Sequence, residues 1–272
     1  MTQPDSAPID PAAYRKLAIA RHDKVLRVTL NAPDKLNAID FEMESELLCL
    51  FQALRADSAI AVVVLTGAGR AFSAGGDLQN NLRIAADLAM VKREFDLARR
   101  FVNSLLEVEQ PIICRINGDA IGLGATLALL CDLTVAADHA RIGDPHVRVG
   151  LVAGDGGAIA WPLLVGYARA KQYLLGGELL DAPTAHRIGL INFSVPASEL
   201  DTAVDRWVDL WCRGARNAIQ WTKATLNLGL KAQAALVLDA GLAYEIASLQ
   251  SRDHRAAIDA FLAKTTPIFT GQ

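Results

Sequence analysis

The chain has 272 residues, of which 52% are hydrophobic and 21% are charged, a composition that predicts a packed globular core and excludes a disordered chain. Its net charge of −3 lacks the basic excess of nucleic-acid-binding and anionic-membrane-binding proteins, so we expect neither partner. The four cysteines are widely separated, and the sequence has neither a signal-peptide pattern nor a run of about 18 apolar residues, so we expect a cytoplasmic protein with buried free thiols.

Short β-rich runs alternate with helical patterns over the first two thirds of the chain. The runs at 16–20 and 25–30, separated by a turn, predict a β-hairpin. Apolar residues then recur at helical spacing over 37–54. Further strands are predicted at 61–65, 111–116 and 133–136, and a long helix at 85–106. This alternation predicts an α/β core.

From about residue 199 onward the pattern is helical. Four helices are predicted, at 203–213, 218–229, 232–249 and 252–264, and this segment carries tryptophans at 207, 211 and 221. We therefore divide the chain into a core at 14–198 and a helical C-terminal region at 199–272. The large apolar side chains of that region are suited either to closing a small core or to covering a neighbouring subunit.

Two glycine-rich loops are the main candidates for a ligand site. The first, at 65–78, reads LTGAGRAFSAGGDL, and its glycines permit positive φ and close approach of a ligand. It is neither a P-loop nor a dinucleotide fingerprint. The second, at 116–132, reads INGDAIGLGATLALLCD and places free backbone N–H groups at the start of an apolar helix. Two such loops facing one another form a site for a developing negative charge.

These loops, with NAPDKLNAID at 31–40, GLVAGDGG at 150–157 and LLGGELLDAPTAHRIGLIN at 174–192, resemble the enoyl-CoA hydratase/isomerase (crotonase) superfamily. The resemblance implies a spiral of ββα turns with an α-helical C-terminal trimerisation region, assembled as a trimer or a dimer of trimers. It also implies a lyase or isomerase that acts on an acyl-CoA thioester by stabilising its enolate in an oxyanion hole. Coenzyme A would be part of the substrate, so we expect no separate cofactor, and no ligand cluster of suitable spacing predicts a metal.

The resemblance also implies positions for the site. The backbone N–H groups of Ala74 and Leu123 match the oxyanion-hole pair that binds the thioester oxygen. Asp77 matches an aspartate that we expect to cap the following helix. The residues expected along the coenzyme A arm are Lys35, Leu36, Ala38, Ala74, Gly75, Gly76, Asp77 and Leu78.

The chain departs from the family at the two glutamates that hold water in typical hydratases, because Thr126 and His146 occupy those positions. We therefore expect weak hydration of simple enoyl-CoA substrates, with His146 as general acid/base. Two further carboxylates are candidates. Asp155 either pairs with the imidazole or caps a helix, and Glu245 either reaches the site or lies exposed.

His146, Asp155 and Glu245 together also resemble the branch of the superfamily that hydrolyses carbon–carbon bonds of cyclic β-diketones, and the pair Trp161–Pro162 adds to that likeness. That branch has a histidine where this chain has Leu123, so acyl-CoA remains the expected substrate class. Two alternatives stay open: a β-diketone hydrolase that needs no coenzyme A, and a non-catalytic acyl-CoA-binding protein.

Overall fold

A six-stranded sheet forms the centre of the computed structural model, which describes residues 9–77, 80, 81, 83, 84 and 87–272. The strands lie in the order β1-β2-β3-β4-β6-β9; β1 and β2 are antiparallel and the other pairs are parallel. Their bounds are β1 Leu17–His22, β2 Val25–Leu30, β3 Val62–Gly67, β4 Ile112–Ile116, β6 Leu133–Ala137 and β9 Phe193–Val195. The predicted hairpin and α/β fold are confirmed.

A smaller three-stranded sheet positions the second glycine loop. It consists of β5 (Ala120–Ile121), β7 (Arg141–Gly143) and β8 (Leu180–Asp181), with β5 and β7 parallel and β7 and β8 antiparallel. Since Ile121 pairs with Gly143, the segments that follow both strands leave the sheet at the same edge. The second glycine loop and the segment containing His146 are therefore neighbours.

Eight helices are described: α1 Phe41–Ala56, α2 Leu88–Glu107, α3 Leu123–Leu129, α4 Gly157–Gly176, α5 Ala182–Arg187, α6 Leu200–Arg213, α7 Arg216–Leu249 and α8 Arg252–Ala263. Helix α1 begins later than predicted because Asp40 caps it, with its side chain accepting a hydrogen bond from the Met43 amide at 2.9 Å. The preceding residues form a loop held by Asn37, whose amide group donates to the carbonyls of Ala68 and Ala71.

The sheet is covered on both faces. On β3, Val63 and Leu65 join the main core with α1 and α2, while Val62 and Val64 pack in a second cluster with Val204 of α6. Helix α6 thus belongs to the layer that covers the sheet, and the division at 198/199 remains a prediction. The four cysteines are free, but the expectation of buried thiols is wrong for Cys49, which is exposed.

The C-terminal region differs from its prediction at one point. The helices expected at 218–229 and 232–249 are one continuous helix, α7. A single interior glycine costs a helix only about 1 kcal/mol, and α7 is anchored on both sides of Gly229 by buried Asn227, which donates to the Leu106 carbonyl, and by buried Ala234. Packing therefore outweighs the local glycine preference.

Helix α7 is the one helix in the described part of the chain that is long and apolar enough to cross a membrane, with a mean hydropathy of 1.2 over its most apolar window. Only 22% of that window is buried. Core helices of soluble proteins meet the same two criteria, so length and composition alone do not make it a membrane span.

Candidate active site

The two glycine loops meet in space. The Ile121 amide donates to the Ser73 carbonyl at 3.0 Å, and a Cβ added to Gly75 would lie 2.8 Å from the Ile121 carbonyl oxygen. Gly75 also has φ +94°, a conformation that side chains rarely adopt. Only glycine therefore fits at position 75. Gly76, in contrast, has no positive φ, and a Cβ there would find open space.

The amides that are free at the cavity differ at one position from the predicted oxyanion-hole pair. The Ala74 amide donates to the Leu36 carbonyl at 2.9 Å, so the choice of Ala74 as a donor to substrate is wrong. The amides of Gly76 and Leu123 have no acceptor within the described residues, and both residues line one cavity of about 300 Å³. Gly76 is therefore the better partner for Leu123, the first residue of α3.

The segment expected along coenzyme A lies beside the first glycine loop. Ile39 donates to the Gly75 carbonyl at 2.8 Å and accepts from the Asp77 amide at 3.1 Å, which brings Leu36 and Ala38 next to the loop. The exposed Lys35 ammonium reaches Asp77 at 2.9 Å. Leu78 lies outside the described residues, as does part of the segment that Asp77 was expected to cap, so both expectations remain predictions.

His146 lines the same cavity, shortly after β7, and its ring lies beside Gly122 of the second glycine loop. Its Nδ1 contacts Oδ1 of Asp144, a carboxylate that is only 2% exposed. A carboxylate at Nδ1 fixes the orientation of the ring and leaves Nε2 toward the cavity. The sequence analysis missed Asp144, although its place two residues before the histidine was a usable signal.

Nε2 of His146 faces two further carboxylates, both singled out from the sequence. Oδ2 of Asp155 lies 3.6 Å away, and Oε1 of Glu245 lies 3.8 Å away. Asp155 also accepts a hydrogen bond from buried Thr126 at 3.2 Å. Gly156 occupies the N-cap position of α4, but the Asp155 carboxylate also accepts a hydrogen bond from the Gly157 amide at the start of that helix. Asp155 therefore lines the cavity and binds the helix start at the same time, so the two alternatives are both met.

Glu245 reaches the cavity because α7 approaches the loop before α4 at two glycines. A Cβ added to Gly154 would lie 2.2 Å from the Gly241 carbonyl oxygen, and one added to Gly241 would lie 3.0 Å from the Gly154 carbonyl oxygen. The helix can come this close only because neither position has a side chain. Glu245, one turn after Gly241, then lines the cavity with its side chain 17% exposed, so the exposed alternative for Glu245 is wrong.

The charges of this cluster control its protonation. Burial acts to lower the pKa of His146, but the charges of Asp144 and Asp155 outweigh it and raise that pKa well above its ordinary value. Burial, followed by the Asp155 charge, raises the pKa of Glu245 well above its ordinary value. Burial also raises the pKa of Asp155. The three shifts share a direction, so His146, Asp155 and Glu245 each hold a proton to a higher pH than the same groups do in water, which suits general acid/base catalysis.

The cluster also has the size of a metal site. Asp144, His146 and Asp155 each offer one ligand atom, and these atoms lie within 4.8 Å of one another. Nδ1 of His146 is already occupied by its contact with Asp144. The other nitrogen of the ring and the carboxylate oxygens are suited to proton transfer as well as to metal binding. The expectation of a metal-free site remains a prediction.

Two more carboxyl groups line the cavity, and the sequence analysis missed both. Glu44 of α1 is 3% exposed, and Glu94 lies on α2. Burial, and next the Glu94 charge, raises the pKa of Glu44 well above its ordinary value. Burial and the Asp155 charge raise the pKa of Glu94 to about 7. A helix pattern predicts neither, because charged residues on helices usually face solvent.

Comparisons with known proteins agree with the fold and identify the family. Residues 20–272 match the family described as enoyl-CoA hydratase/isomerase. The chain is 31% identical to a crotonyl-CoA hydratase of Syntrophomonas wolfei over 93% of this chain and 96% of that protein. It is 36% identical to a 1,2-epoxyphenylacetyl-CoA isomerase of Escherichia coli over 91% of this chain and 95% of that protein. The crystal structure of an enoyl-CoA hydratase/isomerase from Mycobacterium paratuberculosis superposes with a TM-score of 0.83 at 33% identity, covering 90% of this chain and 97% of that one. The chain belongs to the enoyl-CoA hydratase/isomerase family.

Proposed function

We propose that this enzyme binds an acyl-CoA, polarises its thioester carbonyl with the Gly76 and Leu123 amides, and transfers a proton through the His146 cluster. One observation carries the proposal. Gly76 and Leu123, whose amides have no acceptor among the described residues, line the same cavity as His146. Preorganised N–H donors stabilise the negative charge that develops on the oxygen when a proton leaves the adjacent carbon. The segment 35–38 and residues 74–77 are proposed to lie along the coenzyme A arm.

The proton transfer is of the lyase or isomerase kind. Asp144 holds the ring by Nδ1, so Nε2 can exchange a proton with the substrate or with Asp155 and Glu245. Thr126 occupies the first hydratase glutamate position and is bonded to Asp155, which leaves no glutamate pair of the usual hydratase kind at these two positions. We propose proton transfer at the carbon next to the thioester as the central step, in a cytoplasmic homo-oligomer.

A direct test is exchange of the α-protons of butyryl-CoA with deuterated water, followed by mass spectrometry. Leu123 is the first residue of α3, a position that tolerates proline, so Leu123→Pro removes the amide donor with little effect on the helix. Leu123→Ala keeps the donor and is the matched control. We expect exchange in the wild type and a further loss of roughly 10²–10³-fold in Leu123→Pro relative to Leu123→Ala. No exchange in the wild type, or equal rates in the two variants, contradicts the proposal.

A second candidate is the β-diketone hydrolase. One observation favours it: Asp155 and Glu245 both lie within 3.8 Å of Nε2 of His146, and these are the three residues of that resemblance. Cleavage of a cyclic 1,3-diketone in the absence of coenzyme A, with no α-proton exchange on butyryl-CoA, is the result that would favour it. Tight binding of acyl-CoA with neither reaction would favour a binding protein.

A further inference from the structure

A pair of carboxyl groups that the proposed proton transfer does not use lies in the wall of the same cavity. Oε1 of Glu44 and Oε2 of Glu94 are buried and have no hydrogen-bond partner in the part of the chain that the structure describes. Glu44 is 3% exposed, so water from outside does not reach it freely. A buried polar oxygen without a partner destabilises the fold, and a ligand that supplies the missing hydrogen bond is favoured at such a place.

The surroundings of the pair are those of a pocket for the acyl group. Apolar side chains from α7 and from the start of α1 line the cavity beside the two glutamates, among them Phe41, Leu242 and Ile246. The two carboxyl groups are close enough that the Glu94 charge raises the pKa of Glu44. The two glutamates therefore form one polar patch in a largely apolar wall. In ligand pockets, a few polar groups of this kind fix the orientation of the substrate.

The charged groups around Glu44 and Glu94 determine which kind of substrate group can bind to them. Glu44, Glu94, Asp155 and Glu245 all line the cavity. The cations that act on them are His146 and Arg93, whose guanidinium stacks 4.9 Å from the centre of the Phe41 ring. Above its pKa of about 7, Glu94 is a carboxylate, so it would repel a second carboxylate at the far end of an acyl chain and would accept a hydrogen bond from a hydroxyl or ammonium group. A plain hydrocarbon would leave the two buried carboxyl oxygens without a hydrogen-bond partner.

We propose that Glu44 and Glu94 form a subsite that binds a hydrogen-bond donor on the acyl group, so that the substrate is an acyl-CoA bearing a hydroxyl or ammonium group away from the thioester. This inference rests on the proposed acyl-CoA function and specifies the substrate class. It differs from the proton-transfer site because its two carboxyl groups belong to α1 and α2, whereas His146 and Asp155 lie between β7 and α4 and Glu245 lies on α7.

Binding of matched acyl-CoA thioesters tests the proposal. Calorimetry on the wild type would compare butyryl, hexanoyl and octanoyl thioesters with their ω-hydroxy counterparts, together with the 6-amino and the 6-carboxy derivatives of the hexanoyl chain. At the length that reaches the pair, we expect the hydroxyl to improve the dissociation constant by about 10- to 100-fold. The amino derivative should bind at least as tightly as the hydroxyl, and the carboxy derivative more weakly than the hydrocarbon.

The variants Glu44→Leu and Glu94→Leu test whether the preference for a hydroxyl group depends on these two residues. In each variant the hydroxyl-to-hydrocarbon ratio should fall toward about 1, because no carboxyl oxygen remains to be satisfied. Glu42→Leu makes the same change at a half-exposed position of α1 and should keep the wild-type ratio. Thermal unfolding of all three variants verifies that they fold.

The possible failures are distinguishable. A wild type that exchanges the α-protons of butyryl-CoA but shows no hydroxyl preference at any chain length overturns the subsite and leaves the proposed function intact. A hydroxyl preference that persists in both Glu44→Leu and Glu94→Leu also overturns the subsite. A wild type that neither binds nor exchanges any of the thioesters overturns the proposed function, and the subsite with it.

Discussion

Asp144 contacts Nδ1 of His146 from a position two residues earlier in the chain, and this contact orients the imidazole so that Nε2 faces Asp155 and Glu245. Two residues separated by one proline therefore carry both the proposed proton-transfer group and the carboxylate that orients it. The arrangement corresponds to the acid–histidine pairs of hydrolytic enzymes, in which the acid fixes the tautomer and stabilises the imidazolium.

Removal of the orienting carboxylate should lower the rate without preventing substrate binding. We expect Asp144→Asn to reduce α-proton exchange on butyryl-CoA by roughly 10²–10⁴-fold, the same range that we expect for His146→Ala, because the ring then loses its fixed tautomer. Asp138→Asn is the matched control, since exposed Asp138 lies 3.8 Å from exposed His139 outside the cavity. The measurement is the exchange rate at saturating substrate. Equal rates for Asp144→Asn and Asp138→Asn would exclude an orienting role.

Hydration of a simple enoyl-CoA should be slow. The family resemblance implies that Thr126 and His146 stand where hydratases have their two glutamates, and threonine cannot act as a base near neutral pH. We expect the turnover of crotonyl-CoA, followed by loss of absorbance of its conjugated double bond, to remain below the roughly 10²–10³ s⁻¹ of efficient enzymes. Turnover in that range would mean that Asp155 and Glu245 position water as a glutamate pair does.

Stability should depend on pH through Glu94. Its pKa is about 7 in the folded state against 4.5 ordinarily, so the folded state holds this proton more tightly than the unfolded chain. The free energy of unfolding therefore falls as pH rises from about 4.5 to about 7. Glu94→Gln should be more stable than the wild type at pH 8, by up to about 3 kcal/mol, and similar to it at pH 4. Urea unfolding at both pH values measures this, and the half-exposed Glu42→Gln should keep the wild-type slope. An unchanged slope in Glu94→Gln would show that another group is responsible.

The two adjacent glycines of the first loop should respond differently to substitution. Gly75→Ala forces a side chain into φ +94° and toward the Ile121 carbonyl, which should cost about 1–3 kcal/mol of folding stability. Gly76→Ala places its methyl group in open space and should stay within about 0.5 kcal/mol of the wild type. Thermal unfolding of the two proteins side by side is the measurement. Equal destabilisation by both would contradict the observed loop geometry.

The exposed apolar surface of α7 predicts self-association. Leu226, Leu228 and Leu236 are 72%, 63% and 77% exposed, which is unfavourable for an isolated chain in water. Light scattering should give three or six times the 29.1 kDa chain mass at micromolar concentration. Leu228→Glu and Leu236→Glu should shift the mass toward the monomer, whereas Leu88→Glu, an equally exposed site on α2, should not. A wild-type species of one chain mass would disprove the assembly.

Much of the fold could be predicted because the patterns are local. Strand β3 is apolar on both faces, and the glycine loops keep a spacing that few families share. The break expected near Gly229 was wrong because packing on both sides of that glycine outweighs its low helix propensity.

The candidate site was only partly predictable. The sequence motifs pointed to His146, Asp155 and Glu245, and the fold brings these three side chains together. Which amide of the first loop is free depends on whether Leu36 reaches Ala74, a contact between segments that no sequence pattern encodes. Glu44 likewise looks like a surface residue in the sequence, but it is buried in a fold in which α2 packs against α1.

The contact between Gly154 and Gly241 makes two positions that are far apart in the sequence depend on each other. A side chain at either position would push α7 away from the loop before α4, and Glu245 would move away from His146 with it. Among relatives that keep a glutamate at position 245, both of these positions should therefore remain glycine. A lineage that gains bulk at one of them should lose the glutamate as well.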